Sequence, residues 1–142
     1  MKEIISVLFV CIHNSARSQI AEAFLKDFAS NRFSVDSAGL EPGKLNLLVV
    51  ESMKEIGIDI SKNKIKSVFD LHKDNKAYNY VITVCDEASG ERCPYFTGMN
   101  ERISWSFKDP SSLQGSEEEK LKIVNKIRDE IKEKVKEWIF NI

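Results

Sequence analysis

Apolar residues along the chain follow two rhythms. Residues 4–10 form an apolar run of strand length, interrupted only by Ser6, as expected of a strand buried on both faces. Ile20, Phe24 and Phe28 then recur at four-residue spacing, with Ala21 and Leu25 beside them. That is one face of an amphipathic helix starting near Ser18. Residues 33–35 predict a short strand ending in Asp36-Ser37-Ala38-Gly39, and Gly39, Pro42 and Gly43 mark a loop. Residues 47–56 read as a second helix stopped by Gly57.

Residues 61–79 are polar and poorly periodic, and predict irregular chain with about one helical turn. Residues 80–84 give a strong strand signal, and 103–107 a last one. Between them, residues 85–100 carry Gly90, Pro94 and Gly98 and read as a long loop, of a length usually functional. Ser116 and Glu119 have capping-box spacing. Leu121, Val124, Ile127, Ile131, Val135 and Trp138 then continue a long C-terminal helix. No repeat, low-complexity tract or linker interrupts this order, so residues 1–142 are expected to form a single domain.

Strands alternating with helices predict an α/β fold, with a mainly parallel sheet covered on both faces. Sites in such folds lie at the C-terminal ends of the strands. Cys11, Ser37, Cys85 and Asp109 each follow or end a predicted strand, so the pattern sends all four to one edge of the sheet.

The sharpest local feature is Cys11-Ile12-His13-Asn14-Ser15-Ala16-Arg17-Ser18, set between the first strand and the first helix. This order puts a thiol among backbone N–H groups at a helix N-terminus, a place that binds oxyanions and favours thiolates. Asn14 tolerates the left-handed backbone that a tight anion-cradling loop needs. Ser15 and Ser18 offer hydroxyl donors, and Arg17 a planar fork suited to a tetrahedral oxyanion. In this company Cys11 reads as a nucleophile rather than a small buried hydrophobe.

Attack on an oxyanion expels a poor leaving group, so a proton donor is required. Asp109 is the acid best placed for that role, although Asp109-Pro110 could equally start a turn. Cys85 and Cys93 flank the long loop. Their spacing suits no zinc knuckle, and His13 and His72 do not complete a ligand set. A dithiol closing to a disulfide fits them better than two idle core thiols. His13 and His72 themselves read as surface residues, and Glu117 to Lys120 as a solvated helix start.

The bulk numbers bound the rest. The chain has 142 residues, 42% hydrophobic and 30% charged, with net charge −1 and three cysteines. That balance gives no footprint for nucleic acid or an anionic membrane. An odd, sparse count of cysteines makes no disulfide scaffold and suggests a reducing compartment. Lys2 before an apolar run superficially mimics a signal peptide, but Glu3 and the Cys11 loop argue against one. A cytoplasmic protein is expected.

The run Val-Leu-Phe-Val-Cys-Ile-His-Asn-Ser-Ala-Arg-Ser-Gln-Ile-Ala-Glu-Ala resembles the low-molecular-weight protein tyrosine phosphatase superfamily, and within it the thioredoxin-coupled arsenate reductases. The similarity extends to Asp36-Ser37-Ala38-Gly39, the strand leading to Cys85, Cys93-Pro94, and Trp105 with Asp109-Pro110. The resemblance implies a flavodoxin-like three-layer sandwich on a four-stranded parallel sheet.

It also implies that residues 12–18 bind arsenate, with phosphate or sulfate as analogues, while Cys11 attacks and Asp109 acts as acid. Cys85 and then Cys93 would resolve the adduct through successive disulfides, and thioredoxin would reduce the last. No tightly bound cofactor is implied, though some relatives bind potassium near residues matching Asn14, Glu22 and Ser37. A monomer is expected.

Two departures stand out. The Cys85–Cys93 segment is slightly longer than the family pattern. Ser111 and Ser112 also stand where tyrosine phosphatases carry aromatic residues that would wall a phenyl-binding cleft. The competing enzymatic reading is a phosphatase acting on phosphotyrosine or small aryl phosphates, which would not need Cys85 or Cys93. A non-catalytic oxyanion-binding or redox-sensing module is the third.

Overall fold

A computed structural model describes residues 4–85, 96 and 101–142. Four strands pair all-parallel in the order β2-β1-β3-β4. They are β1 Ile5–Cys11, β2 Phe33–Gly39, β3 Tyr80–Thr83 and β4 Glu101–Ser104. The helices are α1 Arg17–Ala29, α2 Leu47–Glu55, α3 Val68–Lys73 and α4 Glu117–Asn141. A short 3-10 turn spans Pro110–Ser112.

β1 shows why its sequence is apolar throughout. Val7, Phe9 and Cys11 face a large core shared with α1, α2 and α4, through side chains such as Phe24, Met53 and Ile131. Leu8 and Val10 face the opposite layer, where Val68, Tyr78 and Phe96 pack. The sheet is therefore covered on both sides, the middle layer of a flavodoxin-like sandwich.

Three expectations need correction. β2 does not end at Val35: all seven of its residues pair with β1, from Ile5 opposite Phe33 to Cys11 opposite Gly39. Asp36, Ser37, Ala38 and Gly39 have weak strand propensity, but a central neighbour supplies the ladder. Ser37 thus lies inside a strand, not after it.

The last strand is Glu101–Ser104 rather than 103–107, because parallel register sets Glu101 opposite Tyr80. An edge strand tolerates the charged Glu101 and Arg102 that hid this start. Trp105 still extends the pairing, its N–H donating to Thr83 O at 2.7 Å. Finally, residues 61–79 hold a six-residue helix, α3, whose N-cap Ser67 accepts from Phe69 N at 3.2 Å.

The remaining elements follow their sequence signals. Asn46 caps α2, accepting from Leu48 N at 2.9 Å and Val49 N at 3.2 Å. Gly57 supplies the left-handed stop at φ 83°. Ser116 caps α4 by accepting from Glu119 N at 3.2 Å, while its hydroxyl donates to the Glu119 carboxylate at 3.1 Å. Among the described residues no helix is long and apolar enough to cross a membrane.

Candidate active site

The loop between β1 and α1 is fixed chiefly by its carbonyls. Leu40 N donates to Cys11 O at 3.1 Å, Glu41 N to Ile12 O at 2.7 Å and Gly43 N to His13 O at 3.0 Å. Asn46 N donates to Ser15 O at 2.9 Å, and Ile20 N to Ala16 O at 2.9 Å. The carbonyls are thus drawn outward by residues 40–46 and by the first turn of α1. Of the loop amides, the Asn14 N–H turns to the inner side and meets Cys11 Sγ at 3.1 Å. Ala16, the N-cap of α1, contributes no capping side chain that would compete for the helix's first N–H groups.

Asn14 stands at φ 54°, the left-handed conformation. Its carboxamide can be oriented without ambiguity. Lys66 N–H can only donate, so the atom it reaches at 3.0 Å is Asn14 Oδ1. Asn14 Nδ2 therefore donates to Ser18 Oγ at 2.8 Å and to Ser37 Oγ at 3.0 Å. Because Ser18 Oγ accepts from Asn14, its own proton is available for Cys11 Sγ, 2.8 Å away. Asn14 N–H and the Ser18 hydroxyl thus both lie against the sulfur, and a Cys11 thiolate would accept from both; Cys11 is 3% exposed.

Arg17 reaches across to the far side of the sheet edge. Its Nη1 donates to Phe107 O at 3.1 Å, and its Nη2 stands 4.0 Å from Asp109 Oδ2. Asp109 serves the following turn as well: Oδ1 accepts from Ser111 N at 2.9 Å and Oδ2 from Ser112 Oγ at 3.0 Å. Both the turn reading and the proximity to Arg17 therefore hold for it.

Cys85 follows β3 on the strand next to β1, where Val84 N donates to Val10 O at 2.9 Å. It is 1% exposed and belongs to the same core layer as Cys11. Cys93 lies outside the described residues. His13 is exposed, its Nδ1 bonded to Glu41 O at 2.7 Å. His72 is also on the surface, with its ring edge-on to Phe96 at 5.6 Å between centroids.

Ser37 and Glu22 join the same network from behind the loop. Ser37 Oγ donates to Glu22 Oε1 at 2.5 Å, and Lys26 Nζ pairs with Glu22 Oε2 at 2.7 Å. The oxygens of Asn14, Glu22 and Ser37 are of the type potassium takes. In this structure they bond to one another, to Lys66 N and to the Lys26 ammonium. Among the described residues no group of three or more His, Cys, Asp and Glu is placed to hold a metal ion.

Several contributors escape a reading of the sequence. Gln19, buried completely in α1, donates to Asn14 O, while Lys64 O meets Gln19 and Lys66 N meets Asn14 through backbone groups. Backbone partners leave no trace in residue identity. Behind them, Tyr78 OH donates to Asp36 Oδ2 at 2.6 Å, and Lys66 Nζ stands 3.7 Å from Asp36 Oδ1. Burial and the Asp36 carboxylate push the Tyr78 hydroxyl far above the ordinary tyrosine range.

Comparison with known proteins places this geometry in context. The family model for low molecular weight phosphotyrosine protein phosphatases matches residues 6–142. A Bacillus subtilis (strain 168) protein named arsenate reductase is 40% identical over 132 residues, which is 93% of each chain. A solved arsenate reductase in the phosphate binding state superposes with a TM-score of 0.79 at 28% identity, covering 98% of this chain and 99% of that one. A thioredoxin-dependent arsenate reductase from Corynebacterium glutamicum gives a TM-score of 0.63 at 29% identity, covering 94% of this chain and 62% of its own.

Proposed function

Because this chain belongs to the low molecular weight phosphotyrosine protein phosphatase family, we propose that it is an arsenate reductase working through Cys11, Cys85 and Cys93 and recharged by thioredoxin. The observation that carries this reading is the placement of two buried thiols, Cys11 and Cys85, at the ends of adjacent strands in one core layer. Neighbouring parallel strands run about 4.8 Å apart, and the pairing of Val10 with Thr83 leads both thiols to the same edge of the sheet.

Arsenate binds against the amides of residues 12–18 and the Arg17 guanidinium, as phosphate or sulfate would. The Cys11 thiolate attacks arsenic, and one oxygen leaves as water with a proton from Asp109. The Cys85 thiolate then attacks Cys11 Sγ. The S–S bond forms, the S–As bond breaks, and its electron pair stays on arsenic, which departs as arsenite. Cys93 attacks Cys85 and expels the Cys11 thiolate, leaving a Cys85–Cys93 disulfide. The dithiol of thioredoxin supplies the two electrons that restore the start.

No step is routed through potassium, and Asn14, Glu22 and Ser37 are the residues that would stand nearest such an ion. The whole chain acts as one unit and as a monomer, in a reducing compartment such as the cytoplasm, without nucleic acid or membrane as partner.

Hydrolysis of an aryl phosphate is the second reading. It is favoured by the fact that Cys11, Arg17 and Asp109 suffice for it. The two are separated by measuring arsenite formed from arsenate with thioredoxin, thioredoxin reductase and NADPH, for wild type and Cys93→Ser. Turnover in the wild type, limited to one equivalent in the variant, is the expected result. Full thioredoxin-driven turnover in Cys93→Ser would sink the relay. No turnover at all, with aryl phosphate hydrolysis intact, would move the protein to the phosphatase class.

A further inference from the structure

One carbonyl of the anion loop is reached neither by residues 40–46 nor by the backbone of α1. It is that of Asn14, and Gln19 Nε2 takes it at 3.1 Å. The same Nε2 lies 3.2 Å from Asn14 Oδ1 and 3.3 Å from Lys64 O. Asn14 O and Lys64 O are both acceptors only, so the Gln19 atom facing them must be its nitrogen. Gln19 Oε1 is then free to accept, and it does so from Asn63 Nδ2 at 3.0 Å.

We infer that Gln19 is a positioning residue for the anion loop, holding Asn14 left-handed and its carboxamide in the one orientation that turns the Ser18 hydroxyl toward Cys11. The physical case has two parts. A non-glycine residue in the left-handed region carries a conformational cost, and a side chain that binds both its carbonyl and its carboxamide offsets that cost. A rotated Asn14 carboxamide would present Oδ1 to Ser18. The Ser18 proton would then point at Asn14, and a Cys11 thiolate would lose one of the two donors it can accept from.

Gln19 is completely buried, and its amide has no water to fall back on. Asn63, exposed, holds the opposite end of that amide and so sets its rotation. The segment at 63–66 is thereby coupled to the nucleophile through Gln19, Asn14 and Ser18.

This inference rests on Cys11 as the nucleophile and on anion binding by residues 12–18. It is independent of Cys85, Cys93 and thioredoxin. The test therefore reads the anion loop directly, as the phosphate concentration that half-protects Cys11 from iodoacetamide, with thermal unfolding beside it. Gln19→Met keeps size and helix propensity and removes the amide. Asn63→Ala removes only the outer tether, at an exposed position.

Gln19→Met should raise the half-protecting phosphate concentration about tenfold, since a buried partner is left unsatisfied. It should also slow Cys11 alkylation in the absence of anion. Asn63→Ala should raise the half-protecting concentration about threefold, with the melting temperature nearly unchanged. A Gln19→Met protein that melts earlier yet protects Cys11 at the wild-type phosphate concentration would show a merely structural role and overturn the inference. Should Gln19→Met fail to fold, unaltered protection in Asn63→Ala overturns it equally.

Discussion

Gly39→Ala is the smallest change that should disable the site from outside it. A Cβ built on Gly39 would lie 2.8 Å from Asn14 N, 2.8 Å from His13 C and 2.8 Å from Ile12 O. Ordinary carbon contacts begin near ~3.5 Å, so the overlap is about 0.7 Å on three atoms at once. All three are backbone of the anion loop, and none can rotate away. Nor can β2 retreat: Gly39 N is held by Lys66 O at 2.8 Å and Leu40 N by Cys11 O at 3.1 Å. The loop must move instead. Overpacking of this kind costs about 1–3 kcal/mol. For a chain of this size that lowers the melting temperature by roughly 3–10 °C.

Catalysis should suffer more than stability, because Asn14 N–H and Cys11 Sγ are set 3.1 Å apart within the shifted segment. A misplacement of ~1 Å costs about a hundredfold, so a shift of half that should lower kcat/KM by about tenfold or more. Steady-state arsenate kinetics, phosphate inhibition and thermal melts make the assay. Gly43→Ala is the milder comparison: its Cβ would meet His13 Cβ at 3.3 Å and no backbone atom of the loop below 3 Å, so a displacement of a few tenths of an ångström relieves it. Wild-type phosphate inhibition in Gly39→Ala, or equal losses in both variants, would refute the reasoning.

Two further outcomes follow from the same contacts. Tyr78 keeps its proton in the folded state to a higher pH than in the unfolded chain, so its contribution to stability is complete below about pH 10 and is lost as pH rises beyond that. Tyr78→Phe should therefore be about 1 kcal/mol less stable at pH 8 and lose stability less steeply above pH 10; parallel urea midpoints from pH 8 to 11.5 would contradict this. Arg17→Lys keeps the charge but cannot span Phe107 O and the Asp109 carboxylate while facing the loop. Its kcat/KM for arsenate should fall about a hundredfold, and a value within threefold of wild type would show that the fork geometry is unimportant.

The elements that were plain in the sequence are those whose burial is simple. β1 is apolar on both faces because both faces are covered, and α1 and α4 carry their apolar stripes at helical spacing. The elements misjudged are those held by their neighbours. Residues 36–39 have no strand pattern of their own and are strand because β1 pairs with them. Glu101 and Arg102 sit on an edge strand, where charge is no obstacle, so the start of β4 is invisible to periodicity. In the site, Cys11, Asn14, Arg17 and Ser18 announce themselves by type and spacing. Gln19 does not, being one more polar position on a helix, nor does Lys66, which acts through its backbone N–H.

The arrangement also bears on why one scaffold serves phosphate and arsenate chemistry. A loop whose carbonyls are taken up by residues 40–46 and by α1, with Asn14 N–H and Arg17 beside the thiol, recognises shape and charge, which the two oxyanions share. What differs is the fate of the covalent adduct on sulfur. A phosphoryl adduct must be resolved by water, since phosphorus gains nothing from a second thiol. An arsenic adduct can be resolved by a thiol, because arsenic accepts the electron pair and leaves as arsenite. Cys85, 1% exposed and in the same layer as Cys11, offers such a thiol from a side sheltered from solvent. Ser111 and Ser112, exposed beside Asp109, supply no apolar wall for an aromatic ester. Burial of the second thiol therefore weighs toward reduction, and it does so independently of the anion loop itself.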